Sequence, residues 1–301
     1  DSGWFSYGFA GSRVDAVIEI PPQYLALYEQ HTGKPSFGEA FTGSVDANAA
    51  FQNYMWGMLD FPLYFQMNKV FCKGEAWGGV KWVLDQDDKY NDTNRLFTFL
   101  DNHDRSRFLA NAGDNWAKLR LALAFQYAVR GIPVVYYGTE QNMAGDFKYT
   151  EDTINYYNRE MMSSFSENTT TFQYLRRLNR LRREYSDLFT QGVQRELYYS
   201  HGDPVYAFSR RNEKNGNELI CLFNNSASEQ TRTITLNPGG ASFTTGAQLT
   251  DLLNTDSVIQ VQEGDVPNSR SITVTLPPNR AMMLTSGCPA EYHQPVYTQT
   301  R

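Results

Sequence analysis

The sequence predicts a chain in two parts: an α/β portion built on a parallel sheet, then an antiparallel β-domain. Three observations carry this. Apolar runs alternate with amphipathic helical stretches as far as about residue 190. Beyond it come short, alternating polar and apolar runs separated by Gly, Asn and Pro. Third, the stretch Phe97-Thr-Phe-Leu-Asp-Asn-His-Asp-Arg-Ser-Arg-Phe108 passes abruptly from β-forming apolar residues to a polar run, Asp101 to Ser106. An apolar run of this kind suits a buried parallel strand, and the polar cluster then sits at its C-terminal end, where α/β barrels keep their chemistry.

Each element follows from local pattern. Asp1 to Ala10 reads as a loop or the remnant of a helix. Gly11-Ser-Arg-Val-Asp-Ala-Val17 reads as a strand, with Arg13 and Asp15 two apart and so on one side of it. A buried Asp15 would need a partner, and Arg13 is the ready one. Helix is expected from about Pro22 to Gln30, with Pro22 in its first turn. Lys34 to Phe41 reads as the next strand, with Glu39 near its end, and Met58 to Phe65 as another, running into helix from Gln66 to Lys73. After the polar cluster, Asp114 is placed to cap a helix reaching Arg130. Ile132 to Tyr137 is a strand, a polar loop follows from Asn142 to Asn158, and Thr170 is placed to cap a helix reaching Phe189. The arginines of that helix (Arg176, Arg177, Arg180, Arg182 and Arg183) read as a solvated face. Strands of the second part are expected at Val205–Arg210, Glu218–Phe223, Thr231–Leu236, Ser271–Leu276 and Arg280–Thr285. The division is therefore residues 1–190, then 191–287, with 288–301 as a polar tail.

Composition excludes several classes. With 20% charged residues and a formal net charge of -6, the chain lacks the basic balance of a nucleic-acid binder. No apolar run approaches the roughly 20 residues a membrane-spanning helix needs. Aromatic residues make up 14%, a content that suits sugar stacking and equally suits core filling. The three cysteines, Cys72, Cys221 and Cys288, allow at most one internal pair, and none has metal-ligand spacing. Asn91-Asp-Thr93, Asn168-Thr-Thr170 and Asn224-Asn-Ser226 fit the glycosylation acceptor pattern, which favours a secreted protein.

Asp15, Glu39 and Asp104 then stand at the ends of three separate strands. Parallel strands of one barrel bring their C-terminal ends together. Convergent carboxylates serve glycoside hydrolysis, one as nucleophile and one as an acid of raised pKa. The same trio also suits a divalent cation, and the Asn-His-Asp run also suits a structural turn; the residues alone leave these readings open.

Four motifs narrow the choice. Gly11-Ser-Arg-Val-Asp-Ala-Val, Phe37-Gly-Glu-Ala-Phe, Phe99-Leu-Asp-Asn-His-Asp and Gly131-Ile-Pro-Val-Val-Tyr-Tyr-Gly-Thr-Glu resemble, in order, four consecutive motifs of the α-amylase family of glycoside hydrolases. Gly138-Thr-Glu-Gln141 and Asn158-Arg159-Glu-Met-Met162 are similar to segments of cyclodextrin glucanotransferases and related amylases. The resemblance implies about strands four to eight of a (β/α)8 TIM barrel followed by an antiparallel β-sandwich. It implies Asp15 as the nucleophile, Glu39 as the general acid/base and Asp104 as the third carboxylate. Arg13, His103 and Arg159 are implied as substrate-binding residues, with Asn155 and Glu19 beside them. The implied substrate is a starch- or glycogen-type α-glucan. A calcium ion is implied as cofactor, with the Glu19 carbonyl as its one ligand candidate here.

The departures are specific. The family's first motif, on strand three, has no counterpart before Asp15, so the chain is expected to be a fragment or one half of a two-chain assembly. Ile18 and Glu19 stand where the family's amylases often carry Lys-His, and Asn155 where an Asp is usual. The expected function is therefore a retaining α-glucan hydrolase. The alternatives are a transglycosylase and a non-catalytic glucan-binding fragment.

Overall fold

The computed structural model describes residues 3–149, 154–236, 242–254, 257–265 and 269–287. The first part holds five parallel strands in sequence order: β1 (Ser12–Val14), β2 (Ser36–Gly38), β3 (Gly57–Leu59), β4 (Leu96–Phe99) and β5 (Ile132–Val134). Between them run α1 (Pro22–Thr32), α2 (Val45–Phe51), α3 (Phe61–Lys73), α4 (Gly78–Leu84), α5 (Phe108–Asn111) and α6 (Trp116–Ala128). This is a partial β/α barrel. The strands are shorter than their apolar runs; the strand expected over Met58–Phe65 ends at Leu59, because Asp60 caps a helix that starts at Phe61 and not at Gln66.

Helix starts are fixed by side chains. Ser44 caps α2 and Asp60 caps α3, each accepting an amide from the first turn. The cap of α6 is Asn115, which accepts from Ala117 and Lys118, and not the expected Asp114, which lies in the left-handed region at φ 56°. The α6 sequence WAKLRLALAFQYA is rich in the best helix formers and is buried on nearly every side. Its Gln126 amide donates to the carbonyls of Thr98 and Val134, tying β4 to β5. Gly131 enters β5 with φ 95°, where a Cβ would lie 2.3 Å from the Leu96 carbonyl oxygen.

Three expectations for the segment up to residue 190 are corrected. The loop at residues 142–158 contains a short hairpin, β6 (Phe147–Tyr149) with β7 (Ile154–Tyr156). The last helix is capped by Thr169 and breaks at Tyr185 into α7 (Thr170–Glu184) and α8 (Ser186–Thr190). Its arginines are not all solvated. Arg177 is buried and donates to the Leu252 carbonyl, and Arg182 donates to the carbonyls of Tyr127 and Gly131. Both satisfy backbone oxygens that are buried or part-buried.

The second part is a sandwich of a six-stranded and a three-stranded antiparallel sheet. The larger runs β13 (Val258–Gln260), β12 (Gln248–Asp251), β16 (Arg280–Ser286), β10 (Glu218–Asn224), β9 (Val205–Arg211) and β8 (Val193–Tyr198). The smaller runs β11 (Gln230–Leu236), β15 (Arg270–Leu276) and β14 (Gln262–Glu263). The β8, β12, β13 and β14 strands carry too little apolar sequence to be read as strands, and neighbouring strands decide them. One face of β9, β10 and β16 packs against α6, so a single core joins both parts. Trp77 sits at that seam, stacked on Tyr206 at 5.2 Å, with its Nε1 donating to the Pro204 carbonyl. Cys72 is half-buried and Cys221 buried, both free thiols, while Cys288 and the tail lie outside the described residues.

Candidate active site

Register brings two carboxylates level. Arg13 pairs with Phe37 and Val14 with Gly38 across β1 and β2, so Asp15 and Glu39 each follow the last paired residue. Period two then places Arg13, Asp15, Phe37 and Glu39 on one face of the sheet. Phe37 stacks on Phe97 of β4 at 4.0 Å on that face, giving the polar pair an aromatic floor. The backbone closes around them: Glu39 N–H donates to the Val14 carbonyl and Val17 N–H to the Glu39 carbonyl. Gly38 is needed for this approach, since a Cβ there would lie 2.7 Å from the Met55 sulfur and 2.9 Å from Val17. Ala16 takes the left-handed conformation at φ 43°, a strained position for a residue with a Cβ, directly after Asp15.

Arg13 holds both acids. Its guanidinium lies 2.6 Å from Asp15 Oδ1 and 2.8 Å from Glu39 Oε1, and the two carboxyl groups are also hydrogen-bonded to each other. Their surroundings differ sharply. The Glu39 side chain is 11% exposed, whereas the Asp15 side chain is 73% exposed, so the expectation of a buried Asp15 is corrected. The hydrogen bond from Glu39 and the Arg13 charge hold Asp15 below the usual carboxylate range, with a smaller contribution from His103. Burial pushes Glu39 up, and its bond to Asp15 adds to this, against the Arg13 charge and the Ala16 amide. The two shifts run in opposite directions, favouring the charged form of Asp15 and the neutral form of Glu39, the division of roles that acid–nucleophile pairs require.

The β4 loop supplies a second group. His103 Nε2 lies 3.1 Å from Asp104 Oδ2, and Arg159 lies 2.9 Å from Asp104 Oδ1. Asp104, His103 and Arg159 are all part-exposed on the same rim, and His103 is close enough to influence Asp15. The structure therefore gathers Arg13, Asp15 and Glu39 by direct contact, and Asp104, His103 and Arg159 by another set of contacts. Glu19 ends a one-turn helix, Val17–Glu19, and is exposed. Asn155 falls in β7 opposite Lys148, and its side chain lies outside the described residues.

Other carboxylates at strand ends are structural. Asp60, fully buried, pairs with Arg130, which also reaches Asp87 at 2.8 Å. Asp101 is buried and accepts the Phe108 amide; burial pushes it up to about 6. Residues that sequence reasoning passed over lie behind the rim. Asn158 is fully buried under the Asp104 loop, and Arg107 is ion-paired with Glu160 at 2.8 Å. Nothing in a polar tripeptide such as Asn158-Arg159-Glu160 marks which side chain turns inward.

A calcium ion takes roughly six to eight oxygen ligands. Among the described residues no group of three or more His, Cys, Asp or Glu side chains is arranged to hold a metal ion. Among the described residues, the Glu19 carbonyl by itself falls short of that ligand set.

Two family models match the chain: alpha amylase, catalytic domain, over residues 24–177, and alpha amylase, C-terminal all-beta domain, over residues 198–287. Glu39, Asp104 and Arg159 fall inside the first match, and Asp15 precedes it. The Beta/alpha-amylase of Paenibacillus polymyxa is 35% identical over 285 residues, covering 92% of this chain and 22% of that protein. Alpha-amylase 1 of Schwanniomyces occidentalis is 25% identical, covering 88% of this chain and 51% of that protein. The cyclomaltodextrin glucanotransferase of Geobacillus stearothermophilus is 33% identical, covering 77% of this chain and 32% of that protein. Among solved structures, an α-amylase from Malbranchea cinnamomea superposes with a TM-score of 0.80 at 23% identity, over 94% of this chain and 57% of that one. A cyclomaltodextrin glucanotransferase of three-domain ABC arrangement gives a TM-score of 0.79 at 28% identity, over 95% and 58%. The chain spans between 22% and 51% of the length of those three curated relatives. With both of its parts matched, and in the same order, this chain belongs to the alpha-amylase family of glycoside hydrolases.

Proposed function

We propose that the chain carries the acid and the nucleophile of a retaining α-glucan hydrolase cleaving α-1,4 bonds. The observation that supports this best is the Arg13-bridged pair of Asp15 and Glu39 with opposite proton affinities. Retaining enzymes hold their two carboxyl groups about 5 Å apart, whereas inverting ones need roughly 6.5–9.5 Å to admit a water. Groups that hydrogen-bond to each other and share one guanidinium belong to the closer class. In this reading Glu39 donates its proton to the glycosidic oxygen as the bond to the leaving sugar breaks. Asp15 attacks the anomeric carbon from the other side, forming a glycosyl ester. Glu39, now a carboxylate, takes a proton from the water that releases the sugar. Asp104 and His103 bind ring hydroxyls.

Reducing ends released from soluble starch by the purified chain test the assignment. Glu39→Gln is expected to lower kcat by at least ~100-fold, within the range for a lost general acid. Unchanged turnover would overturn it. The resemblance to glucanotransferases favours one second reading, in which a sugar hydroxyl replaces water as acceptor. Cyclic or elongated products would mark that outcome. Starch binding without turnover by the unmodified chain would mark a glucan-binding fragment.

A further inference from the structure

We propose that Asn158 is a positioning residue for His103 and Asp104, acting through the main chain that carries them; the inference rests on the function proposed for those two side chains. The loop after β4 turns three of its carbonyls inward. The Asn158 amide nitrogen lies 3.2 Å from the Asn102 oxygen, 2.8 Å from that of His103 and 2.9 Å from that of Arg105. Inside the turn, Asp104 N–H donates to Asn102 Oδ1 and Arg105 N–H to the Asn102 carbonyl. With its carbonyls inward, the turn presents the His103 and Asp104 side chains outward at the rim, where both are part-exposed.

Asn158 itself has no exposed surface. Inward carbonyls without donors would be left unsatisfied, at a cost of about 1–3 kcal/mol each. An amide carries two hydrogens, enough to serve three crowded oxygens by sharing. Aspartate at this place would offer only acceptors to acceptors. The neighbours extend the grip. Arg159 Nε donates to the His103 carbonyl at 2.8 Å, and Glu160 accepts from Arg107 at the far end of the same segment. Arg107 itself lies against the rings of both Tyr136 and Tyr137, at 4.7 and 4.8 Å, and donates to the Tyr137 carbonyl. Residues 158–160 thus hold the 102–107 segment at both ends, and Asn158 is the member that addresses only its backbone.

The test compares Asn158→Ala with Asn225→Ala, a buried asparagine that donates to the Val70 and Glu75 carbonyls elsewhere. The first readout is the imidazole NMR signal of His103, assigned by its loss in His103→Gln. It is expected to shift or broaden in Asn158→Ala and to stay in place in Asn225→Ala. The second is starch hydrolysis: kcat is expected to fall roughly 10- to 100-fold with KM changed far less, as for a displaced transition-state group. If Asn158→Ala does not fold, Asn158→Ser, which keeps one donor, replaces it. An unmoved His103 signal, or losses of kcat equal to those of Asn225→Ala, would overturn the proposal. Lack of starch turnover by the unmodified chain would count against the proposed function and leave the imidazole signal to decide this point.

Discussion

Arg13 sits between two acids and stabilises the charged form of each. Its positive charge favours the ionised form of both, while burial of Glu39 and the bond between the acids push the pair apart. Activity by the proposed route needs Asp15 ionised, so the acidic limb of the pH profile follows Asp15 and is lost as pH falls through its lowered pKa. It needs Glu39 protonated, so the alkaline limb follows Glu39 and is lost as pH rises through its raised pKa. Arg13→Gln removes the charge and raises both pKa values. Both limbs of a kcat/KM profile on starch are then expected to move to higher pH, with a drop in kcat/KM of at least ~10-fold from the lost charge-assisted contacts. Limbs that stay where they were would contradict the electrostatic role of Arg13.

Elements meet through buried polar groups whose partners come from far along the chain. Arg130, just after α6, is held by Asp60 at the end of β3 and by Asp87 before β4, and its backbone N–H donates to Gln194 Oε1 of β8. Asp251, at the end of β12, accepts the amides of Leu253 and Met283, with Arg177 of α7 and Arg280 of β16 as the charges nearby. Burial pushes Asp251 up to about 7 from an ordinary 3.8. A raised carboxylate pKa favours the fold while the group is protonated. That contribution is complete below about pH 4 and is lost as pH rises to about 7, at up to about 1.4 kcal/mol per pH unit. Asp251→Asn keeps the accepting oxygen and removes the proton. Its stability in urea is expected to exceed that of the parent progressively across this window, and parallel pH curves would refute the argument.

At the scale of the whole molecule, one core runs from the parallel sheet into the sandwich. Phe125 of α6 packs on Phe208 and Phe223, and Trp77 on Tyr206, so neither part buries this surface alone. The chain is therefore expected to unfold in one transition, with far- and near-ultraviolet circular dichroism melting together. Trp77→Ala should lower stability by about 3–5 kcal/mol while keeping the transition single. Two separate melts would mean that the seam is not shared.

Much of this was legible in the sequence because it depends on local period and on residues close in the chain. The apolar runs, the change of pattern near residue 190, and the acids placed after Val14 and Gly38 follow from strand periodicity and polarity alone. The resemblance of four ordered motifs supplied the family. Tertiary structure decided the rest. Whether a polar residue at a strand end faces substrate or the core depends on which element covers it: Asp60 and Asp101 look like Asp15 and Glu39 in sequence, and only packing buries them against Arg130 and the Phe108 amide. Arg177 and Arg182 were read as solvated because a helix does not reveal which of its polar side chains meets a distant carbonyl. Asn158 became visible only when the carbonyls it serves, more than fifty residues earlier, were turned toward it.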